Sequence, residues 1–140
     1  MTTAADYIRE MSAAMAERYA EDCVAHAART AERLLAERRS PWIGRVRDVS
    51  EKDGVRFDAP LIPLRYLGKG ALAWTTHYVA CTARQVYDSV AGVPLDLDAY
   101  TVEVFGRDLE VSTYLDAAAT ARLLATGDFR SAFPPRGSVA

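Results

Sequence analysis

Trp74-Thr75-Thr76-His77-Tyr78-Val79-Ala80-Cys81-Thr82-Ala83-Arg84-Gln85-Val86-Tyr87-Asp88 reads as two short β-strands. The β-branched and aromatic residues of this stretch suit a pleated, half-buried surface. Its alternation predicts a central strand over residues 73–83, with Trp74, Thr76 and Tyr78 on one face. Thr75, His77, Val79 and Cys81 then share the other face. A turn at Thr82 to Arg84 leads into Gln85-Val-Tyr-Asp88 and closes a hairpin. His77 thus lies on the first strand and Asp88 closes the second.

Upstream, residues 6–39 are rich in Ala, Glu, Arg and Met and look at first like one long helix. Ile8, Met11, Met15 and Tyr19 form one apolar stripe, and Val24, Ala27, Ala28, Ala31, Leu34 and Leu35 form another. At ~100° per residue the stripes lie more than a third of a turn apart, so one straight helix cannot bury both against a single core. The phase predicts a break near residues 20–22. Asp22 is the candidate N-cap, able to accept from free backbone N–H groups, which puts Cys23 in the first turn of the second helix. The competing reading is one uninterrupted helix gripped on two sides. Ser40-Pro41 ends the helix.

Ile43 to Val49 alternates loosely as a first strand, Asp53-Gly54 is a strong hairpin turn, and Val55 to Phe57 forms the return strand. Pro60, Pro63, Gly68 and Gly70 predict a long irregular loop from Asp58 to Gly70. Beyond the central hairpin, Ala99 to Phe105 suits a short helix under the core, ended by Gly106. Leu109 to Val111 reads as a last edge strand, with Ser112 or Thr113 capping a helix over Tyr114 to Ala125 that Gly127 ends. The tail Phe133-Pro-Pro-Arg-Gly-Ser-Val-Ala140 reads as a fraying surface segment. The fold class is α+β, with N-terminal helices packed on a small antiparallel β-sheet. The chain of 140 residues divides into an N-terminal helix (1–21), a core carrying the candidate site (22–106), a C-terminal strand and helix (107–132) and the tail (133–140).

Composition narrows the function classes. The 140 residues fit one domain with a real core, half of them hydrophobic. Lys plus Arg total 17 against 19 Asp plus Glu, which leaves no basic excess to neutralise a nucleic-acid backbone. No apolar run approaches the ~20 residues of a membrane span, and the N-terminus lacks the pattern of a signal peptide. A cytoplasmic location in a bacterium is the expectation, with export by a route lacking a cleaved signal left open. The two cysteines, Cys23 and Cys81, suit one reactive and one buried thiol better than a disulfide. Zinc at Cys23, His26, His77 and Cys81 is disfavoured. His77 and Cys81 are four apart on a predicted strand, and at ~3.3 Å per residue their side chains start roughly 13 Å apart. No metal or cofactor is expected.

A thiol attacks as a thiolate, which a helix N-terminus or an imidazolium stabilises. Cys23 at a helix start has the first aid, and His77 supplies the second. Asp88, on the strand paired with that of His77, would fix the imidazole's tautomer. Backbone N–H groups at the helix start, including that of Cys23, would bind a developing oxyanion. The plainer readings are an inert core cysteine, a hydrogen-bonded structural histidine and a turn-forming aspartate.

A Cys at a helix start, followed by a small sheet with His in Trp74-Thr-Thr-His77-Tyr-Val and Asp in Val86-Tyr-Asp88, then Gly92-Val-Pro94 and a Tyr100…Phe105-Gly106 segment, resembles the papain-like thiol hydrolases. The likeness is to the compact bacterial branch of papain-fold toxins, glutamine deamidases and small cysteine proteases, and covers roughly Asp22 to Gly106. It implies Cys23 as nucleophile, His77 as general base and acid, and Asp88 as the orienting residue. The chain departs from the family in having no Gln before Cys23, its only Gln being Gln85, and no Gly, Ser or Trp flanking Cys23. Those departures favour a compact deamidase or amidase over a broad protease, or a domain that has lost catalysis.

The expected function is therefore a thiol amidohydrolase acting on a protein, peptide or other amide. Trp74, Tyr78 and the Asp58–Gly70 loop are candidates for lining its substrate pocket. Two other classes fit the same architecture: a non-catalytic interaction module of partner-binding or immunity type, and a small-ligand binder. The latter would show a closed apolar cavity beside His77.

Overall fold

In a computed structural model, residues 2–16, 22–69 and 74–134 are described. Helix α1 spans Ala4–Ala14 and helix α2 spans Cys23–Ala36. Ile8 and Met11 of the first apolar stripe therefore lie on one helix, with Met15 at its C-cap, and the second stripe lies on another; Tyr19 lies outside the described residues. A reciprocal cap starts α1: Thr3 Oγ1 accepts from the Asp6 N–H at 3.0 Å, and the Asp6 carboxylate accepts from the Thr3 N–H at 3.3 Å. Helix α1 ends at Met15, earlier than the expected break near residues 20–22; of that region residues 20 and 21 lie outside those described. Asp22 is the N-cap of α2, its Oδ1 accepting from the Ala25 N–H at 3.1 Å.

The strands are β1 (Trp42–Lys52), β2 (Val55–Ala59), β3 (His77–Cys81), β4 (Gln85–Tyr87), β5 (Leu95–Asp96) and β6 (Glu110–Leu115). They form an antiparallel sheet in the order β2-β1-β3-β4-β5, and β6 pairs with β1 as well. Asp53 and Gly54 both take positive φ, 55° and 79°, as the two-residue turn joining β1 to β2 requires. Helix α3 is Tyr100–Phe105, ended by Gly106 at φ 75°. Helix α4 is Ala117–Thr126, and short 3-10 turns occupy Leu64–Tyr66 and Arg130–Ala132. The class is α+β, and among the described residues no helix is long and apolar enough to cross a membrane.

Successive strand residues face opposite sides of the sheet, and the two sides bury two cores. Tyr78, Ala80 and Tyr87 join Ile8, Val24, Ala27, Ala31 and Leu34 beneath α1 and α2. Val79, Cys81 and Val86 join Leu61, Tyr66, Tyr100, Val104 and Phe105 on the α3 side. Cys81 is fully buried there, and burial pushes its thiol up to about 12.

Four expectations need correction. The central strand begins at His77 rather than residue 73, and Trp74 instead forms an isolated antiparallel bridge with Leu61. Strand β6 runs to Leu115, and the cap of α4 is Asp116, whose Oδ1 accepts from the Ala119 N–H at 2.8 Å. Ser112 and Thr113 are strand residues, because pairing with β1 extends past them. Phe133 belongs to the core rather than a surface tail: it is 6% exposed and its ring packs on Tyr78, Tyr114 and Phe129. Residues 135–140 lie outside those described.

Candidate active site

The β3–β4 register pairs Ala80 with Tyr87 and Cys81 with Val86, which carries Asp88 just past the end of β4 and back toward His77. His77 Nε2 lies 3.0 Å from Asp88 Oδ2. Both side chains are almost fully buried, at 2% and 4% exposure for the residues. Two further groups hold the carboxylate. The Tyr100 hydroxyl donates to Oδ2 at 2.5 Å, and the Val90 N–H donates to Oδ1 at 3.0 Å. Arg65 fixes that turn in its own right, donating to the Val90 carbonyl at 2.9 Å and to Ser12 Oγ at 2.7 Å.

These contacts decide the protonation states. Burial opposes the charge on Asp88, but the His77 charge, the Tyr100 and His77 hydrogen bonds and the Val90 N–H together hold its carboxyl below the usual range. Burial likewise opposes the charge on His77. The Asp88 carboxylate outweighs it, with help from the Cys23 thiol, and His77 is raised to about 10. Tyr100 is pushed well above its ordinary value, by burial first and by the Asp88 charge next. The pair therefore exists as imidazolium and carboxylate at neutral pH.

The Trp74 ring lies parallel to the His77 ring, 4.1 Å away at an interplanar angle of 1°. The edge of Phe105 closes another side at 6.2 Å. Trp74 was expected on the face opposite His77. The strand's late start frees residue 74 from that alternation and lets its ring cover the imidazole.

Cys23 is the first residue of α2, placed by the Asp22 cap, and is partly exposed where His77 is sealed. Arg130 Nη1 reaches the same Asp22 Oδ1 at 2.5 Å and fixes the helix start to the C-terminal segment. The His77 ring nitrogen turned away from Asp88, Nδ1, is buried and makes no complete hydrogen bond among the described residues. The Cys23 thiol adds both hydrogen-bonding and charge to the raised basicity of His77. The three candidate catalytic residues, Cys23, His77 and Asp88, thus converge on one small cavity.

That cavity measures about 20 Å³, room for one water molecule. It is lined on one side by Cys23, His26 and Ala27, and on the other by Trp74, His77 and Asp88. Tyr78 also touches it, but its ring is buried against Tyr114 and Phe133, and it acts chiefly as core. Among the described residues of the Asp58–Gly70 loop none lines the cavity; Tyr66 instead donates to the Met15 carbonyl at 2.7 Å. Gln85 lies apart, its Oε1 accepting from the Tyr87 hydroxyl at 3.2 Å. Among the described residues no cluster of three or more His, Cys, Asp or Glu side chains has the geometry to hold a metal ion.

Sequence reasoning missed Tyr100, Ser89 and the role of His26. A buried tyrosine needs a partner for its hydroxyl, but the sequence does not say which. His26 carried a usable signal, because three residues after Cys23 is the next position on the same helical face. Comparison of the chain with protein families, with curated proteins and with solved structures found no match.

Proposed function

We propose that this protein is a thiol amidohydrolase with Cys23 as nucleophile, His77 as base and acid, and Asp88 as orienter. The observation that carries the reading is the buried Tyr100–Asp88–His77 chain of hydrogen bonds, which shares one cavity with the partly exposed Cys23 thiol at a helix N-terminus. Nε2–H donates to Asp88, which leaves Nδ1 for the thiol proton. The resemblance of these residues to papain-like thiol hydrolases supports the same assignment.

In this reaction Cys23 Sγ attacks the carbonyl carbon of a carboxamide or peptide. The C–N bond breaks as His77 gives its proton to the departing ammonia or amine, and water then hydrolyses the thioester. A glutamine side chain as substrate gives deamidation; a backbone amide gives proteolysis. The N–H of Cys23, which lacks an intrahelical acceptor at the first helical position, is the natural donor to the developing oxyanion. A small-ligand binder is the weaker reading, because the cavity beside His77, at about 20 Å³, has room for about one water, far below the volume of a usual ligand pocket.

Iodoacetamide labelling near neutral pH tests the proposal. Cys23 is expected to label at least about ten-fold faster in the wild type than in His77→Ala, with Cys81 inert in both. Equal, slow labelling of Cys23 and Cys81 would remove the enzyme reading and leave the interaction module.

A further inference from the structure

The cavity holds a second imidazole that the reaction above leaves unused. We propose that His26, held by Ser89, is the base that activates the water resolving the Cys23 thioester, so that the two histidines divide the two half-reactions. This rests on the thiol amidohydrolase reading and deepens it.

The geometry comes first. Cys23 and His26 are three residues apart on α2 and line the same one-water cavity, so a water beside an acylated Cys23 lies between sulphur and imidazole. His26 Nδ1 lies 3.1 Å from the Ser89 hydroxyl, and Ser89 is 4% exposed directly after Asp88. In the tautomer that donates Nδ1–H to Ser89 Oγ, Nε2 carries the lone pair and has no partner among the described residues. The Tyr7 ring packs edge-on at 6.2 Å and fixes the plane of the imidazole.

The charges then separate the two rings. His77 gives its proton to the leaving group during acylation, but the Asp88 carboxylate stays in place and raises its basicity. His77 therefore takes a proton back from solvent and is a cation again before water attacks. A protonated imidazole is no base. His26 is half-buried, and burial, with Arg29 and His77, outweighs the pull of Asp88 and Asp22 and keeps it below 6.5. It is therefore the less readily protonated of the two rings, and its lone pair is free to act as a general base.

The step balances without a co-reactant beyond water. The water oxygen bonds to the thioester carbonyl carbon while one water proton passes to His26 Nε2. The C–S bond breaks, and its electron pair returns to the Cys23 sulphur opposite the His77 cation. The acid product keeps the second hydrogen until it ionises, and His26 releases its proton to solvent, which balances the one His77 took up after acylation.

p-Nitrophenyl acetate separates the half-reactions: the burst of p-nitrophenolate reports acylation, and the steady rate reports deacylation. His26→Asn, whose amide keeps a polar atom near the Nδ1 position, is expected to retain the burst rate within about three-fold. Its steady rate should fall about 10²-fold, with acetyl-Cys23 accumulating by mass spectrometry. The deacylation profile of the wild type should rise through a pKa below 6.5, and the variant should lack that limb. Ser89→Ala should show a smaller fall confined to deacylation, and it carries the same test if His26→Asn does not fold. Burst and steady rates falling together, or deacylation left unchanged, would overturn the role of His26. A wild type that forms no acetyl-Cys23 would instead overturn the hydrolase reading beneath it.

Discussion

The Tyr100 hydroxyl and His77 Nε2 meet at one oxygen, Asp88 Oδ2, at 2.5 Å and 3.0 Å. Residues from α3 and from β3 thus share a single acceptor supplied by the turn after β4. A phenol that donates to a buried carboxylate stabilises its charge and holds its titration low.

Tyr100→Phe removes that donor and leaves the ring in place. Hydrogen bonds to charged groups contribute about 1.5–3 kcal/mol, so urea unfolding should show a loss in that range near pH 6. With that donor gone, the Asp88 carboxyl should titrate higher in the variant. An NMR titration of the Asp88 carboxyl that matched the wild type would show that Tyr100 is packing alone.

The buried pair also sets a pH window for stability. His77 is raised from 6.5 to about 10, so its contribution is complete below about 6.5 and is lost as pH rises through 10. Asp88 is lowered from 3.8, so its contribution is complete above 3.8 and is lost as pH falls through its lower folded value. The stability difference between the wild type and Asp88→Asn should therefore peak between pH 3.8 and 6.5, at about 3–5 kcal/mol for breaking a buried pair. It should shrink steadily toward pH 10. A difference that stayed flat from pH 6 to pH 10 would mean that His77 is neutral in the fold.

Asp22 links the helix start to the nucleophile. Asp22→Ala removes the cap on the Ala25 N–H and the acceptor of Arg130, which should cost about 1–2 kcal/mol in all. The first turn of α2 should then fray around Cys23, and the His77-dependent part of its iodoacetamide labelling should drop several-fold. Arg130→Ala keeps the cap and should leave that labelling near wild type. Equal labelling losses in the two variants would place the effect in the ion pair instead.

What the sequence disclosed follows the range of the interactions. The β3–β4 hairpin was legible because its alternation and turn are local, and it brought His77 and Asp88 together. The α1–α2 break was legible as a phase shift between two apolar stripes, which requires no knowledge of the core. Tyr100 was not legible as a site residue, because twelve positions and a further strand separate it from Asp88. Trp74 was misplaced because alternation was extended through residues where the chain has already left the sheet. The cap of α4 was misassigned because Ser112 and Thr113 are good strand residues as well as good caps, and pairing with β1 decided between those roles.

Two phenylalanines show the same limit energetically. Phe57, in a strand legible from sequence, is 45% exposed on the β1–β2 hairpin. Phe133, in a segment with no periodicity, is 6% exposed and closes an aromatic cluster with Tyr78, Tyr114 and Phe129. Burial of a side chain, not membership of a regular element, sets the cost of truncating it. Phe133→Ala should therefore destabilise by about 3–5 kcal/mol, and Phe57→Ala by no more than about 1 kcal/mol. Tyr78 neighbours His77 on β3 and also touches the cavity, so loosening the cluster should loosen the floor of the site. Denaturant midpoints for the two variants, with Cys23 labelling measured well below each midpoint, check both statements. Comparable midpoints would place Phe133 outside the core.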